Sequence, residues 1–170
     1  MSNFPSLQPA MTVLVEIANA TSIGSASRGT PLSIAPMTGG SIKSESGFSP
    51  SIDAQWEGVG ADYIHVDPSS THMRLNAHGA VKDKISGGLI YLNYTGIVGI
   101  TPALGAILGG SPDAKSTPFG DSFIEMRFET GEEKLKDLEL STFVGAGRFV
   151  VEEGKPVTVE YKLSKVVKGN

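Results

Sequence analysis

Four side chains between Gly60 and His78 carry the groups that proton transfer uses: the Asp62 carboxyl, the Arg74 guanidinium, the Asn76 amide and the His78 imidazole. The run from Gly60 to Gly96 reads as successive β-strands. Asp67-Pro68-Ser69-Ser70 supplies a Pro-led polar turn, and a Gly-containing turn lies between Asp83 and Gly88. If the first hairpin pairs Asp62 with Asn76, side-chain alternation brings Asp62, Arg74, Asn76 and His78 to one face. Tyr91, Asn93 and Thr95 of the next strand join them there. Tyr63, Met73, Leu75, Ala77 and Val81 then form a packing face. In a water-poor lumen, a carboxyl beside an Arg and a His has its proton affinity set by competing desolvation and charge, as an acid or base catalyst requires. The alternative is a solvated outer face, the ordinary condition of polar strand faces in antiparallel sheets, with ion pairs of little energetic weight.

Other residues of chemical interest carry two readings each. His65, between Ile64 and Val66, fits a hydrogen-bonded core histidine better than a ligand. Glu125, Arg127 and Glu129 alternate along one strand and form either an exposed charge stripe or part of a cavity wall. Trp56 and Phe48 read as core, with an aromatic wall for a ligand as the second possibility. Gly145-Ala146-Gly147 falls inside an expected strand, where glycine permits a bend or a close approach. There is no Gly-x-Ser-x-Gly elbow, no Walker-type loop and no Gly-x-Gly-x-x-Gly. Covalent serine catalysis, nucleotide hydrolysis and nicotinamide chemistry lose ground accordingly.

Composition narrows the chemistry further. With no cysteine there is no disulfide framework, thiolate nucleophile or Cys-based metal site, and His65, His72 and His78 are too few for a His-rich one. The 14 basic and 18 acidic residues are scattered, giving a net charge of −4 with no basic run to follow a phosphate backbone. The first residues lack the basic and apolar regions of a secretory signal. The longest apolar run, Ile97 to Leu108, is interrupted by Gly99, Thr101, Pro102 and Gly105 and is too short to span a bilayer. A cytoplasmic protein with no nucleic-acid or membrane partner is expected.

The elements that must position these residues are mostly short strands, since 21 Gly and 10 Pro punctuate the 170 residues. Strands are expected at Met11–Ile17, Leu32–Pro36, Ser41–Ser46 and Phe48–Glu57, followed by the three of the Gly60–Gly96 stretch. Further strands are expected at Ser122–Thr130, Ser141–Glu152 and Val157–Leu163. Thr38-Gly39-Gly40 allows a turn or bulge. Thr101 as cap, Pro102 in the first turn and Gly109-Gly110 at the exit predict a short helix. A helical turn is expected at Glu132–Leu138. The pattern is all-β with one or two short helices: an antiparallel closed or nearly closed barrel of about nine or ten strands. The expected organisation is a flexible segment 1–10, a single barrel domain 11–166 and a tail 167–170.

Arg28-Gly29, Thr38-Gly39-Gly40, Gly60-Ala61-Asp62-Tyr63, Leu89-Ile90-Tyr91, Phe128-Glu129-Thr130-Gly131 and Phe143-Val144-Gly145-Ala146-Gly147, in this order, resemble the domain-of-unknown-function 3237 family. The resemblance covers roughly residues 11 to 163 and implies a small β-barrel. Among its fungal members, which this chain resembles more than the bacterial ones, it implies intramolecular hydroalkoxylation of a prenyl alkene in phenalenone-type polyketide pathways. Asn76-Ala77-His78 stands where the common bacterial pattern has Asp-x-Arg, and Tyr63 where it has Trp, so this face is where members differ in substrate.

The implied protein is a cofactor-independent cyclase with no metal, acting on a prenylated aromatic polyketide. Asp62 is then the acid, Arg74 tunes it, and His78 or Tyr91 orients or deprotonates a phenol. Trp56, Tyr91 and Tyr94 shelter a cation, and Asn76, Asn93 and Glu129 complete the substrate contacts. Two other classes stay open: a non-catalytic carrier for a hydrophobic aromatic compound, and a structural subunit burying apolar surface in a homo-oligomer.

Overall fold

The computed structural model describes residues 3–169. Residues 1, 2 and 170, at the ends of the segments expected to flank the barrel, lie outside the described residues. The strands are β1 (Ser6–Ile17), β2 (Thr21–Gly24), β3 (Leu32–Ser44), β4 (Asp53–Trp56), β5 (Gly60–Val66), β6 (His72–Asp83), β7 (Leu89–Gly99), β8 (Ser122–Thr130), β9 (Phe143–Val150) and β10 (Val157–Val167). The helix α1 (Pro102–Leu108) follows β7, and a 3-10 turn covers Glu133–Leu138.

Every strand pairing is antiparallel, and the order β1-β10-β9-β8-β7-β6-β5-β3 returns to β1 through the β1–β3 pairing. Eight strands therefore close the barrel, and β2 and β4 stand outside that ring. The expectation of a closed all-β barrel holds, but its strand count was too high for the ring itself. The short β4 bridges β3 and β6 at one rim, and β2 only edges β3.

Two of the expected strands, Leu32–Pro36 and Ser41–Ser46, are one continuous β3. The Thr38-Gly39-Gly40 segment bulges at Thr38 and makes no turn: Glu16 pairs with Gly39 and Ile17 with Met37, which leaves Thr38 without a register partner on β1. Gly40 sits at φ +142°, and a Cβ there would lie 2.1 Å from the Leu14 carbonyl oxygen, so only glycine lets the two backbones meet. β1 starts at Ser6, inside the segment expected to precede the barrel, and pairs with β10 out to Val167.

α1 forms as the sequence reading anticipates. Thr101 Oγ1 accepts the Leu104 N–H at 3.2 Å, Pro102 opens the helix and Gly109 ends it. Leu104 and Ile107 are buried, as is Val98 just before the helix, whereas Ile97 and Leu108 at the two ends of the apolar run are exposed. No helix among the described residues is long and apolar enough to cross a membrane.

Inward side chains fill the barrel unevenly. At the β4 rim Phe48, Phe128 and Phe143 meet edge to face, with ring centroids 6.2 and 5.4 Å apart, and Leu135 and Leu138 of the 3-10 turn close the end. Toward the opposite rim, where α1 and the β1–β2 connection sit, the interior is not filled and a cavity remains.

Candidate functional site in the barrel lumen

The cavity occupies about 440 Å³ and is open between α1 and residues Ala18–Ala20. That is within the range of small-molecule sites. Its wall is largely aliphatic, including Ile64, Val66, Met73 and Leu75, and its floor carries Asp62, Tyr94 and Tyr161.

The floor follows from register. Ala35 of β3 faces Asp62 of β5, Asp62 faces Ala77 of β6, and Ala77 faces Tyr94 of β7. These four side chains form one inward row across neighbouring strands, and all are buried. Of the two alanines beside Asp62, Ala35 lines the cavity and leaves space that a larger residue would fill. Tyr161 of β10 completes the floor, its ring centroid 5.4 Å from that of Tyr94. Gly147 makes room for it: a Cβ there would stand 2.5 Å from Tyr161 Cε1. The glycines of β9 thus admit a side chain of the neighbouring strand, the close approach that their placement inside a strand suggested.

Asp62 is 6% exposed. Its Oδ1 accepts the Asn76 backbone N–H at 2.9 Å, and Oδ2 makes no hydrogen bond among the described residues. The paired register of β5 and β6 omits Tyr63 and Ile64, so the carboxyl takes the place of a missing ladder acceptor. Burial pushes the Asp62 carboxyl up to about 6, against the smaller opposing pull of the Asn76 N–H. Asp83, the other fully buried carboxylate, makes the contrast. Burial acts on it in the same direction, yet it accepts from Ser86 N–H (2.8 Å), Ser86 O–H (2.7 Å) and Asp53 N–H (3.0 Å), and it stays below its ordinary value. Asp83 is a satisfied structural group, whereas Asp62 has a free oxygen in a cavity.

The two phenols are 2% exposed. Burial raises both hydroxyls, and the Asp62 charge adds to the rise. The Tyr94 O–H donates to the Met37 thioether at 3.8 Å, a weak contact that a better acceptor can displace.

The anticipated Asp62, Arg74, Asn76 and His78 face does not exist. Asp62 pairs with Ala77 instead of Asn76, and this one-residue shift sends Arg74, Asn76 and His78 to the outer surface. Arg74 binds Asp67 there at 2.9 Å, holding the Asp67 carboxyl below its usual value, and does not reach Asp62. His78 Nδ1 meets the Tyr91 hydroxyl at 2.5 Å and His78 Nε2 meets Asn76 Oδ1 at 3.1 Å; Asn93 donates to the Ala77 carbonyl at 2.9 Å. These residues form a compact polar cluster outside the barrel wall.

Glu129 faces outward opposite Tyr91, and Glu125 and Arg127 bind one another on the surface at 2.9 Å, so the charge stripe is exposed. His65 pairs with Arg74 on the outer face and is not a core residue. Trp56 is not among the cavity-lining residues; its ring lies against Gly60 and Gly79. Of the anticipated site residues, Asp62 and Tyr94 meet in the lumen. Tyr161 was missed as a site residue; the signal that could have found it is its alternation with Val159 and Leu163, which share its buried face of β10. Among the described residues, no group of three or more His, Asp or Glu is placed to hold a metal ion.

Solved structures share the fold. A conserved protein of unknown function from Rhodopseudomonas palustris matches with a TM-score of 0.74 at 23% identity, over 98% of this chain and 100% of that one. A beta-barrel like protein from Acinetobacter baumannii matches at 0.71 and 23%, over 98% of each chain. A protein described as an enzyme, from Penicillium herquei, matches at 0.63 and 15%, over 98% of this chain and 97% of that one. No curated protein sequence matches the chain. The profile of the family described as protein of unknown function DUF3237 matches residues 5–166, almost the whole barrel from β1 to β10, and the chain belongs to that family.

Proposed function

We propose that the lumen is the active site of a cofactor-independent cyclase that closes an ether ring by intramolecular hydroalkoxylation of a prenylated aromatic polyketide. The observation that carries this reading is a buried carboxyl with one free oxygen at the floor of an apolar cavity, flanked by two phenol rings. Near and below about pH 6 the Asp62 carboxyl holds a proton that burial makes available at Oδ2. Transfer of that proton to the less substituted alkene carbon breaks the π bond and leaves a tertiary cation. The faces of Tyr94 and Tyr161 stabilise such a cation by about 1 to 2 kcal/mol each when desolvated. The substrate phenol oxygen then forms the C–O bond, and its proton returns to the Asp62 carboxylate, so the acid is regenerated and no redox partner is needed. The aliphatic wall excludes water that would capture the cation and holds the chain folded for ring closure. The similar structure described as an enzyme is consistent with catalysis on this scaffold.

The test is incubation of the purified protein with a prenylated phenolic polyketide, followed by chiral chromatography. A single-enantiomer cyclic ether from the wild type, and none from Asp62→Asn, is expected. The aliphatic wall also suits a carrier of hydrophobic aromatic compounds. Binding without any new product would favour the carrier.

A further inference from the structure

We propose that the lumen floor is built for positive charge and takes a hydrophobic ammonium ion in preference to a neutral or anionic molecule of the same shape. This rests on the reading of the lumen as the ligand site. It asks which stable ligand, as opposed to which fleeting intermediate, the site recognises.

The charge inventory of the cavity is one-sided. β1, β3, β5, β6, β7, β9, β10 and α1 all contribute to its wall, and none of the lining residues is Lys, Arg or His. The titratable groups facing Asp62 there are Tyr94 and Tyr161, and the remaining polar side chains are Asn19 and Ser33. Arg74, the nearest cation by sequence, is on the far side of the wall and occupied by Asp67. An anionic ligand would therefore meet a carboxylate with no counter-ion. A cation would meet that carboxylate and two ring faces, and carboxylate with aromatic faces is the chemistry by which quaternary ammonium groups are recognised. The small neighbour Ala35, which lines the cavity opposite Asp62, leaves room for a branched head group beside the carboxyl.

The experiment compares three probes that share a benzyl group and a branched centre: benzyltrimethylammonium, 2-methyl-1-phenylpropan-2-ol and 2,2-dimethyl-3-phenylpropanoate. Titrations are followed by NMR of the Ala35 and Met73 methyl groups, both of which line the cavity, at pH 7.5. The ammonium probe is expected to bind about ten-fold more tightly than the alcohol, with the carboxylate weakest. In Asp62→Asn the ammonium preference is expected to fall below about two-fold, as it is for the wild type at pH 5, where the carboxyl is protonated.

If the alcohol binds as tightly as the ammonium ion while the lumen methyls shift, the charge preference is wrong and the lumen site survives. If no probe moves these methyls while a larger neutral aromatic, 2-naphthol, does, the preference is again wrong. If nothing moves them, the lumen reading falls with it. A preference that persists in a well-folded Asp62→Asn overturns the assignment to the carboxyl.

Discussion

Replacing Asp62 with Asn isolates the energetic consequence of burying a carboxyl with a single hydrogen bond. The Asp62 carboxyl moves from 3.8 to about 6 on folding, so the folded protein disfavours its ionised form. A group raised in this way contributes its full stability below about pH 4 and loses it as pH rises through about 6. At about 1.4 kcal/mol per pH unit the loss amounts to about 3 kcal/mol by pH 8. Asn cannot ionise, and its side-chain oxygen keeps the Asn76 N–H satisfied. The stability of Asp62→Asn relative to the wild type should thus rise by about 2.5 kcal/mol between pH 4 and pH 8. Urea denaturation at a series of pH values, followed by fluorescence of the single Trp56, measures this. The difference between the two proteins cancels the titration of every other group, provided that these are unperturbed by the substitution. A difference that stays flat within about 0.5 kcal/mol, or that rises toward low pH, refutes the argument that desolvation dominates at this carboxyl.

Removing the surface pair should matter little: Arg74→Ala should cost less than about 1 kcal/mol, because the Arg74 side chain is 53% exposed, and should leave turnover and lumen binding within two-fold of wild type. His78→Ala and Tyr91→Phe test the outer cluster in the same assays, and a large loss of turnover in either would return that face to the mechanism. Ala35→Leu projects a larger side chain into the cavity beside Asp62 and should abolish binding of lumen ligands while the far-UV spectrum is retained. Gly40→Ala, which sets a Cβ against the Leu14 carbonyl at positive φ, should destabilise the fold by about 3 kcal/mol in chemical denaturation.

The parts of this molecule that were legible in its sequence are those where pattern and chemistry agree. Ser122–Thr130 alternates without interruption and is a strand over those residues; Thr101, Pro102 and Gly109 bound α1 because each satisfies a specific need of a helix end. The hairpin register was not legible. The Asp67–His72 connection holds Ser70 at φ +57°, a left-handed position that Gly or Asn would have announced and Ser does not, and it sets Val66 opposite Met73. One residue of register exchanges the two faces of a strand, so Arg74, Asn76 and His78 moved outside together. The same exchange hid the logic of Asp62, a polar residue on the apolar face, where alternation alone argues against it. Tyr161 was not singled out, and nothing local in β10 could say that β5 and β7 would bring Asp62 and Tyr94 to it from across the barrel.

The most direct test of the account is the titration of the Asp62 carboxyl carbon by NMR in protein labelled at aspartate, with Asp62→Asn giving the assignment, in the absence and presence of benzyltrimethylammonium. The account predicts a midpoint near 6 in the free protein, moved downward when the cation binds. A midpoint near 4 that the cation leaves unchanged would contradict it.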